Sequence, residues 1–269
     1  MAPTARELAR RTVQDGILAA ARARLTAEGP SQLSLRAVAR DVGLVSSAVY
    51  RYFPSRDDLL TALLVADYDE LGAAVEAADA AAGPEPGRRW VAVCRAIRTW
   101  SITHPGDFAL LFGSPVPGYV APRETVEPAT RTTLAIVRVV ADAVAAARTD
   151  VEARSDVEAR ADVDARSVAD ARSVAHPFAG RHGSPSAPTA APGAVGSAVA
   201  DGVATLRALG LDLPEEVLVR TLMAWTTVFG TISFELFGHF VGSVSDGAAY
   251  FDEVVARLAS DAGFTATFD

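Results

Sequence analysis

Residues 34–60 read SLRAVARDVGLVSSAVYRYFPSRDDLL, and their spacing decides the fold. Leu35, Val38, Ala39 and Val42 recur at helical intervals, which makes them the apolar stripe of a short helix. Ser34 stands where a capping hydroxyl is wanted. Gly43 follows at once and supplies the left-handed backbone that a tight interhelical turn requires. A second short helix carries Val49, Tyr50 and Phe53 and opens on the small polar Ser46 and Ser47. Two short helices joined at a glycine form a helix-turn-helix, whose second helix offers its first residues to the major groove.

Outward from this stretch, the chain reads as helix throughout. Thr4 and Glu7 are spaced as a capping box for a first helix ending at Gly29-Pro30, with Val13, Ile17, Ala20, Ala21 and Leu25 as its stripe. Arg6, Arg10 and Arg11 cluster near its start, suited to the DNA backbone or minor groove or simply to solvent. A fourth helix is expected over Ser55 to Ala82, broken by Gly83-Pro84-Glu85-Pro86-Gly87. Trp90, Val93, Cys94, Ile97, Trp100 and Ser101 then mark a fifth, His104-Pro105-Gly106 punctuates, and Asp107 to Phe112 forms a short sixth. After a proline-rich connection, an amphipathic run covers Glu124 to Ala147.

Between Arg148 and Pro177 a six-residue unit repeats: RTDVEA, RSDVEA, RADVDA, RSVADA, RSVAHP. Six residues at about 100° each turn successive valines in different directions, so no continuous apolar face results. The charges do suit a helix, because Asp150-Arg154-Glu158 and Asp156-Arg160-Asp164 are i, i+4 ladders. A solvated helical extension is expected, followed by a flexible linker over Gly180–Gly196, the whole being an insertion that tolerates length cheaply. A long helix from Pro214 to about Val241 is apolar around most of its girth and should be buried on several sides. A last helix from Ser245 to Ala262 carries Phe251, Val254, Val255 and Leu258 on one face.

Composition narrows the function. The 269 residues carry a net charge of -8, yet residues 1–60 hold nine arginines against six carboxylates, for +3, leaving -11 on the rest. There is no lysine. A basic end on an acidic body is the asymmetry expected when one part meets phosphates and the other does not. Cys94 stands alone, and His104, His176, His182 and His239 fall in no metal or nucleophile–base spacing. With no phosphate-cradling glycine loop either, an enzyme, a metal site and a cofactor are not expected. No secretory signal or uncharged apolar span is seen, so a cytoplasmic protein without a membrane partner is the expectation.

Residues 34–60 also carry a resemblance. The core Val38, Ala39 and Gly43, the run VYRYF from Val49 to Phe53, and Arg56 with Leu59 and Leu60 resemble the DNA-binding domain of tetracycline-repressor (TetR) family regulators. That family usually has serine two residues after the turn glycine, where this chain has Val45, so Ser46 or Ser47 is expected to cap the recognition helix. Trp225, Phe229-Gly230 and the later FELFGH run look like the subgroup named for a Trp-His-Gly signature, although Phe229 stands where that subgroup commonly has histidine.

The resemblance implies an all-α protein. A three-helix helix-turn-helix domain, residues 1–55, joins an all-helical effector-binding and dimerisation domain, residues 56–269, which carries the insertion 148–196. It further implies a homodimer that binds a near-palindromic double-stranded operator as a repressor and is released by a small apolar effector. The rival is a ligand-binding or adaptor protein of the same fold that no longer reads DNA, with Val45 as its motive.

Ser46, Ser47 and Ala48 are the residues expected to face base edges. Ser34, Arg36, Tyr50, Arg51, Tyr52 and Arg56 complete the DNA-facing set, chiefly through phosphates. Trp90, Trp100, His104, Phe108, Phe112, Trp225 and Phe229 are the candidates for an effector cavity. Leu236, Phe240, Phe251, Val254, Val255 and Leu258 are the candidates for the dimer interface.

Overall fold

The computed structural model describes residues 4–169, 194–211 and 213–268, and every regular element among them is helical. The order is α1 (Ala5–Glu28), α2 (Leu35–Asp41), α3 (Ser46–Val49), α4 (Arg56–Ala81), α5 (Pro86–Thr103), α6 (Pro105–Phe112), α7 (Val126–Ala169), α8 (Ala194–Ala208), α9 (Glu215–Leu236) and α10 (Gly247–Ala262).

Local chemistry sets most of the ends. Thr4 Oγ1 accepts from the Glu7 amide at 3.3 Å while Glu7 Oε2 accepts from the Thr4 amide at 2.7 Å, completing the capping box of α1. Gly29, at φ 79°, stops that helix. Ser55 Oγ accepts from the Asp58 amide at 3.1 Å and starts α4, with Asp57 and Asp58 at its positive end. Glu85 accepts from the amides of Gly87 and Arg88 to open α5, and Pro105 opens α6 where no amide donor is needed.

Two large apolar cores result among the described residues, besides a small cluster between α8 and α9. The first gathers Ile17, Ala21 and Leu25 of α1, Val38 and Ala39 of α2, Val49 of α3, and Leu59, Leu60 and Leu63 of α4. The second joins Leu71 and Val75 of α4 to Trp90 and Ile97 of α5, Ile136 and Val140 of α7, Val228 and Ile232 of α9, and Phe251 and Val255 of α10. The head core therefore runs past residue 55 into the first turns of α4, and it also takes in Leu110 and Val116 from beyond.

Arginines stitch the body across its helices. Arg131 on α7 reaches Asp69 and Glu76 on α4, Arg89 on α5 holds Asp79 and Asp142, and Arg98 forks onto Glu235 of α9. Such bidentate pairing suits the planar guanidinium.

The helix expected over the repeat is present as a direct continuation of the amphipathic run, because α7 is one helix of 44 residues from Val126 to Ala169. Residues 170–193, which hold the end of the repeat and most of the expected linker, lie outside the described residues. Positions 194–196 belong instead to α8, a helix the glycine- and alanine-rich composition concealed; its Val199 and Val203 pack on Leu218 of α9.

Finally, α9 is less enclosed than its composition suggests. It ends at Leu236, with Gly238 at φ 75° turning the chain, and Leu222, Met223 and Phe234 lie open to solvent. Among the described residues it alone is long and apolar enough to cross a membrane, with a mean hydropathy of 1.4. In this fold its other side packs against α5, α7, α8 and α10.

The tightest seam between head and body is α1 against α6. A Cβ on Gly106 would stand 2.5 Å from the Thr26 amide nitrogen and 2.7 Å from its Cα. Gly106→Ala is therefore expected to lower unfolding stability by about 1–3 kcal/mol, read from urea denaturation. An unchanged midpoint would mean that this seam opens without cost.

Candidate nucleic-acid interface

The turn between α2 and α3 is built by the backbone. Leu44 N–H donates to Ala39 C=O at 2.8 Å and Gly43 N–H to Arg40 C=O at 3.2 Å, the double closure of a Schellman turn, with Gly43 at φ 70°. Val38, Ala39 and Val49 are fully buried beneath it, so the angle between the two helices is fixed by packing on α1 and α4. Arg24 of α1 forks onto Asp41 at 2.5 and 3.0 Å, which ties α2 down and holds the Asp41 carboxyl below its usual range.

Val45, not a serine, occupies the cap position of α3, and no side chain caps that helix. Ser46 and Ser47 are consequently released from the capping role expected of them. They stand exposed in the first turn of α3 beside exposed Tyr50 and Arg51, while Ser34 and Arg36 stand exposed at the start of α2. Ser34 holds the cap position of α2 without a side-chain hydrogen bond. Tyr52 is half-buried, its ring under the Arg10 guanidinium at 5.9 Å.

One expected DNA contact is corrected. Ala48 is only 8% exposed and packs into the head rather than toward a groove. Arg56 turns part of its guanidinium inward: Nε on the Leu33 carbonyl at 2.9 Å, Nη2 on the carbonyls of Pro30 at 2.9 Å and Ser31 at 3.3 Å. These carbonyls belong to the turn left by the break at Gly29-Pro30, so Arg56 completes the fold of the head. The sequence reading missed Val45 as a surface residue; it is 71% exposed at the front of α3. Its place two residues after the turn glycine was the available signal.

The aromatic candidates of the body mostly fill space. Trp90 is fully buried, donates from Nε1 to the Val255 carbonyl at 2.9 Å, and meets Phe264 edge-on. Trp100 stacks on His104 at 5.0 Å, and His104 Nδ1 lies 2.9 Å from the Trp100 carbonyl. A column of rings runs from Trp225 through Phe229, Phe112 and Phe108, with Phe229 and Phe112 centroids 4.4 Å apart. Phe229 is thus packed against Phe112.

None of these seven lines the cavity of about 520 Å³ that opens between α4, α7 and α8. Its walls are Leu64, Tyr68, Ala129, Thr133, Leu206 and Leu209 among others. Tyr68 connects it to the ring column by an edge contact with Phe112, and burial raises the Tyr68 phenol pKa. Trp100 instead lines an alanine-walled groove of about 580 Å³ along α4 and α5.

For the dimer candidates the result divides. Phe251 and Val255 are 1% and 0% exposed within the chain's own core and cannot meet a partner, which corrects their assignment. Leu236, Phe240, Val254 and Leu258 remain half-buried, and Phe237 and Tyr250 join the open apolar residues beside them.

This geometry defines a helix-turn-helix protein whose small reading head rides on a larger all-helical body. The profile described as "Tetracyclin repressor-like, C-terminal domain" matches residues 90–258, and that of "Bacterial regulatory proteins, tetR family" matches residues 17–63. The chain belongs to the tetracycline-repressor (TetR) family. HTH-type transcriptional regulators Mb1846 of Mycobacterium bovis and Rv1816 of Mycobacterium tuberculosis are each 46% identical to it over 140 residues. Those matches cover 51% of this chain and 58% of either relative, a little over half their length.

Among solved structures, SCO4313, described as a regulatory protein, superposes with a TM-score of 0.66 at 27% identity, covering 96% of this chain and 100% of its own. A protein of unknown function from Rhodococcus sp. RHA1 shares the fold, with a TM-score of 0.56 at 21% identity over 94% of this chain and 95% of its own.

Replacing Arg56 by alanine removes its donors from the carbonyls of residues 30, 31 and 33. The expected result is a loss of about 1–3 kcal/mol in stability, with faster amide hydrogen exchange in residues 29–36. A variant as stable as the parent would return Arg56 to the set of free surface arginines.

Proposed function

We propose that the chain is a homodimeric transcriptional repressor that reads a near-palindromic operator and releases it on binding a small apolar molecule. The observation that carries this reading is the front of α3. Ser46, Ser47, Tyr50 and Arg51 stand exposed on a rigid turn in the net-basic end of an acidic chain. Serine hydroxyls there can donate to or accept from base edges, while Arg36 and Arg51 suit phosphates. Val45 leaves the backbone turn intact, which favours a working head over one that has lost DNA.

Two heads are needed for a two-fold site, and the open apolar side of α9, with Leu222, Met223 and Phe234, is a surface that water leaves unfavourable. Half-buried Leu236, Phe240, Val254 and Leu258 continue it. For the effector, the 520 Å³ cavity is the better candidate than the ring column, because it has volume, apolar walls and a few hydroxyls. It also borders α4, the helix whose first turns belong to the head, so an occupant that shifts α4 changes the spacing of the two heads. In this proposal residues 1–55 with the start of α4 form the reading domain, and the rest is the effector and dimer domain.

Selection from random DNA duplexes tests this directly. A two-fold symmetric site should emerge, bound more weakly as salt rises, with a log–log slope of about −0.9 per phosphate contacted. Arg51→Ala should weaken all sequences alike, whereas Ser47→Ala should alter base preference at one position by about 1–3 kcal/mol. Enrichment of no symmetric site at either low or moderate salt would defeat the proposal.

A further inference from the structure

A single charge cluster fastens the head to the body. Arg22 of α1 donates to Asp67 Oδ1 of α4 from both Nε, at 2.9 Å, and Nη2, at 2.5 Å. Its Nη2 also meets Glu70 Oε2 at 3.0 Å, and its Nε lies 3.7 Å from Asp107 Oδ2 of α6. From the end of α5, His104 Nε2 lies 3.4 Å from Glu70 Oε1. One guanidinium thus faces three carboxyl groups carried by two different helices.

Two of those carboxyls are inside the protein. Asp67 is 0% and Asp107 3% exposed. The far oxygens, Asp67 Oδ2 and Asp107 Oδ1, are buried without a hydrogen-bond partner in the chain. Ionising both leaves buried negative charge in excess and buried acceptors without donors, two conditions that proteins avoid. A single proton on the pair removes one of the two buried charges and turns one orphaned acceptor into an O–H.

We propose that Asp67 and Asp107 share one titratable proton that holds α1, α4 and α6 together around Arg22, and that losing it loosens the head on the body. The pair titrates as a unit, so the proton belongs to the site and not to either residue. Burial and the neighbouring Asp107 charge push Asp67 up to about 7, against the pull of Arg22, and burial raises Asp107 as well. The sign follows from that direction. A carboxyl whose folded pKa is raised contributes stability that is present below its unfolded value and lost as pH rises through about 7. Above that point the charges on α4 and α6 repel beside the seam where α6 packs at Gly106 on Thr26 of α1, too close to admit a Cβ. As a control on operator release, this device rests on the DNA-reading role proposed above; the joint itself does not.

Hydrogen exchange of the full chain without DNA tests it. Amides of residues 17–28 and 105–112, corrected for intrinsic rate, should exchange about tenfold faster at about pH 8 than at about pH 6. The melting temperature should fall by about 5 °C over the same interval. Asp67→Asn, which imitates the protonated group, should hold both readings flat, and Asp107→Asn should do the same if the first variant folds poorly. Exchange independent of pH in the parent, or an unchanged pH response in a folded Asn variant, would overturn the proposal. Because no DNA is present, a chain that fails to select an operator would sink the regulator reading alone and leave this result standing.

Discussion

Everything in this molecule hangs on α4 being continuous. Its first turns put Leu59, Leu60 and Leu63 into the head core, and Leu71 and Val75 lie in the body core two to three turns later. A helix is stiff along its axis, since each turn is braced by the hydrogen bonds of the next. The two cores are therefore mechanically coupled through it. Between them sits Asp67, a carboxyl fully buried within the chain. Arg22 and the α6 carboxyl meet it there, so the transition between the cores is polar where its neighbours are oily.

The same division explains the use of arginine. A chain with no lysine and an acidic body relies chiefly on guanidinium groups to cross-link its helices. Arg89, Arg98 and Arg131 each take two carboxylate oxygens or more. Gly72 belongs to this arrangement: the Arg131 side chain lies where a Cβ at that position would be, 2.9 Å away. Close approach of α4 and α7 and the ion pairs that fasten them are one feature.

How much of this could be read in advance depended on the range of the interactions. The capping box at Thr4 and Glu7, the stop at Gly29-Pro30 and the turn at Gly43 involve residues within a few positions, and each stood in the sequence. The buried stripe of Val38, Ala39 and Val49 followed from helical spacing. The inward bonds of Arg56 were not legible, because its partners lie more than twenty residues upstream and its chemistry suits phosphate equally well. The Arg22–Asp67 pair spans 45 positions and leaves no local trace. Phe251 and Val255 share a helix face with the half-buried Val254 and Leu258, and only tertiary packing separates them. α8 was hidden by composition, since glycine and alanine signal linker unless a partner such as Leu218 is known.

The placement of indole rings gives this protein an optical asymmetry. Trp90, Trp100 and Trp225 all lie in the body, one hydrogen-bonded in the core, one stacked on an imidazole, one half-buried against Phe229. The head contains tyrosines and no tryptophan. Ultraviolet emission excited at the red edge of absorption therefore reports on the body alone. A head that melted by itself would be dark in that signal while losing its share of helical circular dichroism. The two cores joined by α4 can be followed separately without any added label, each through the chromophores it already holds.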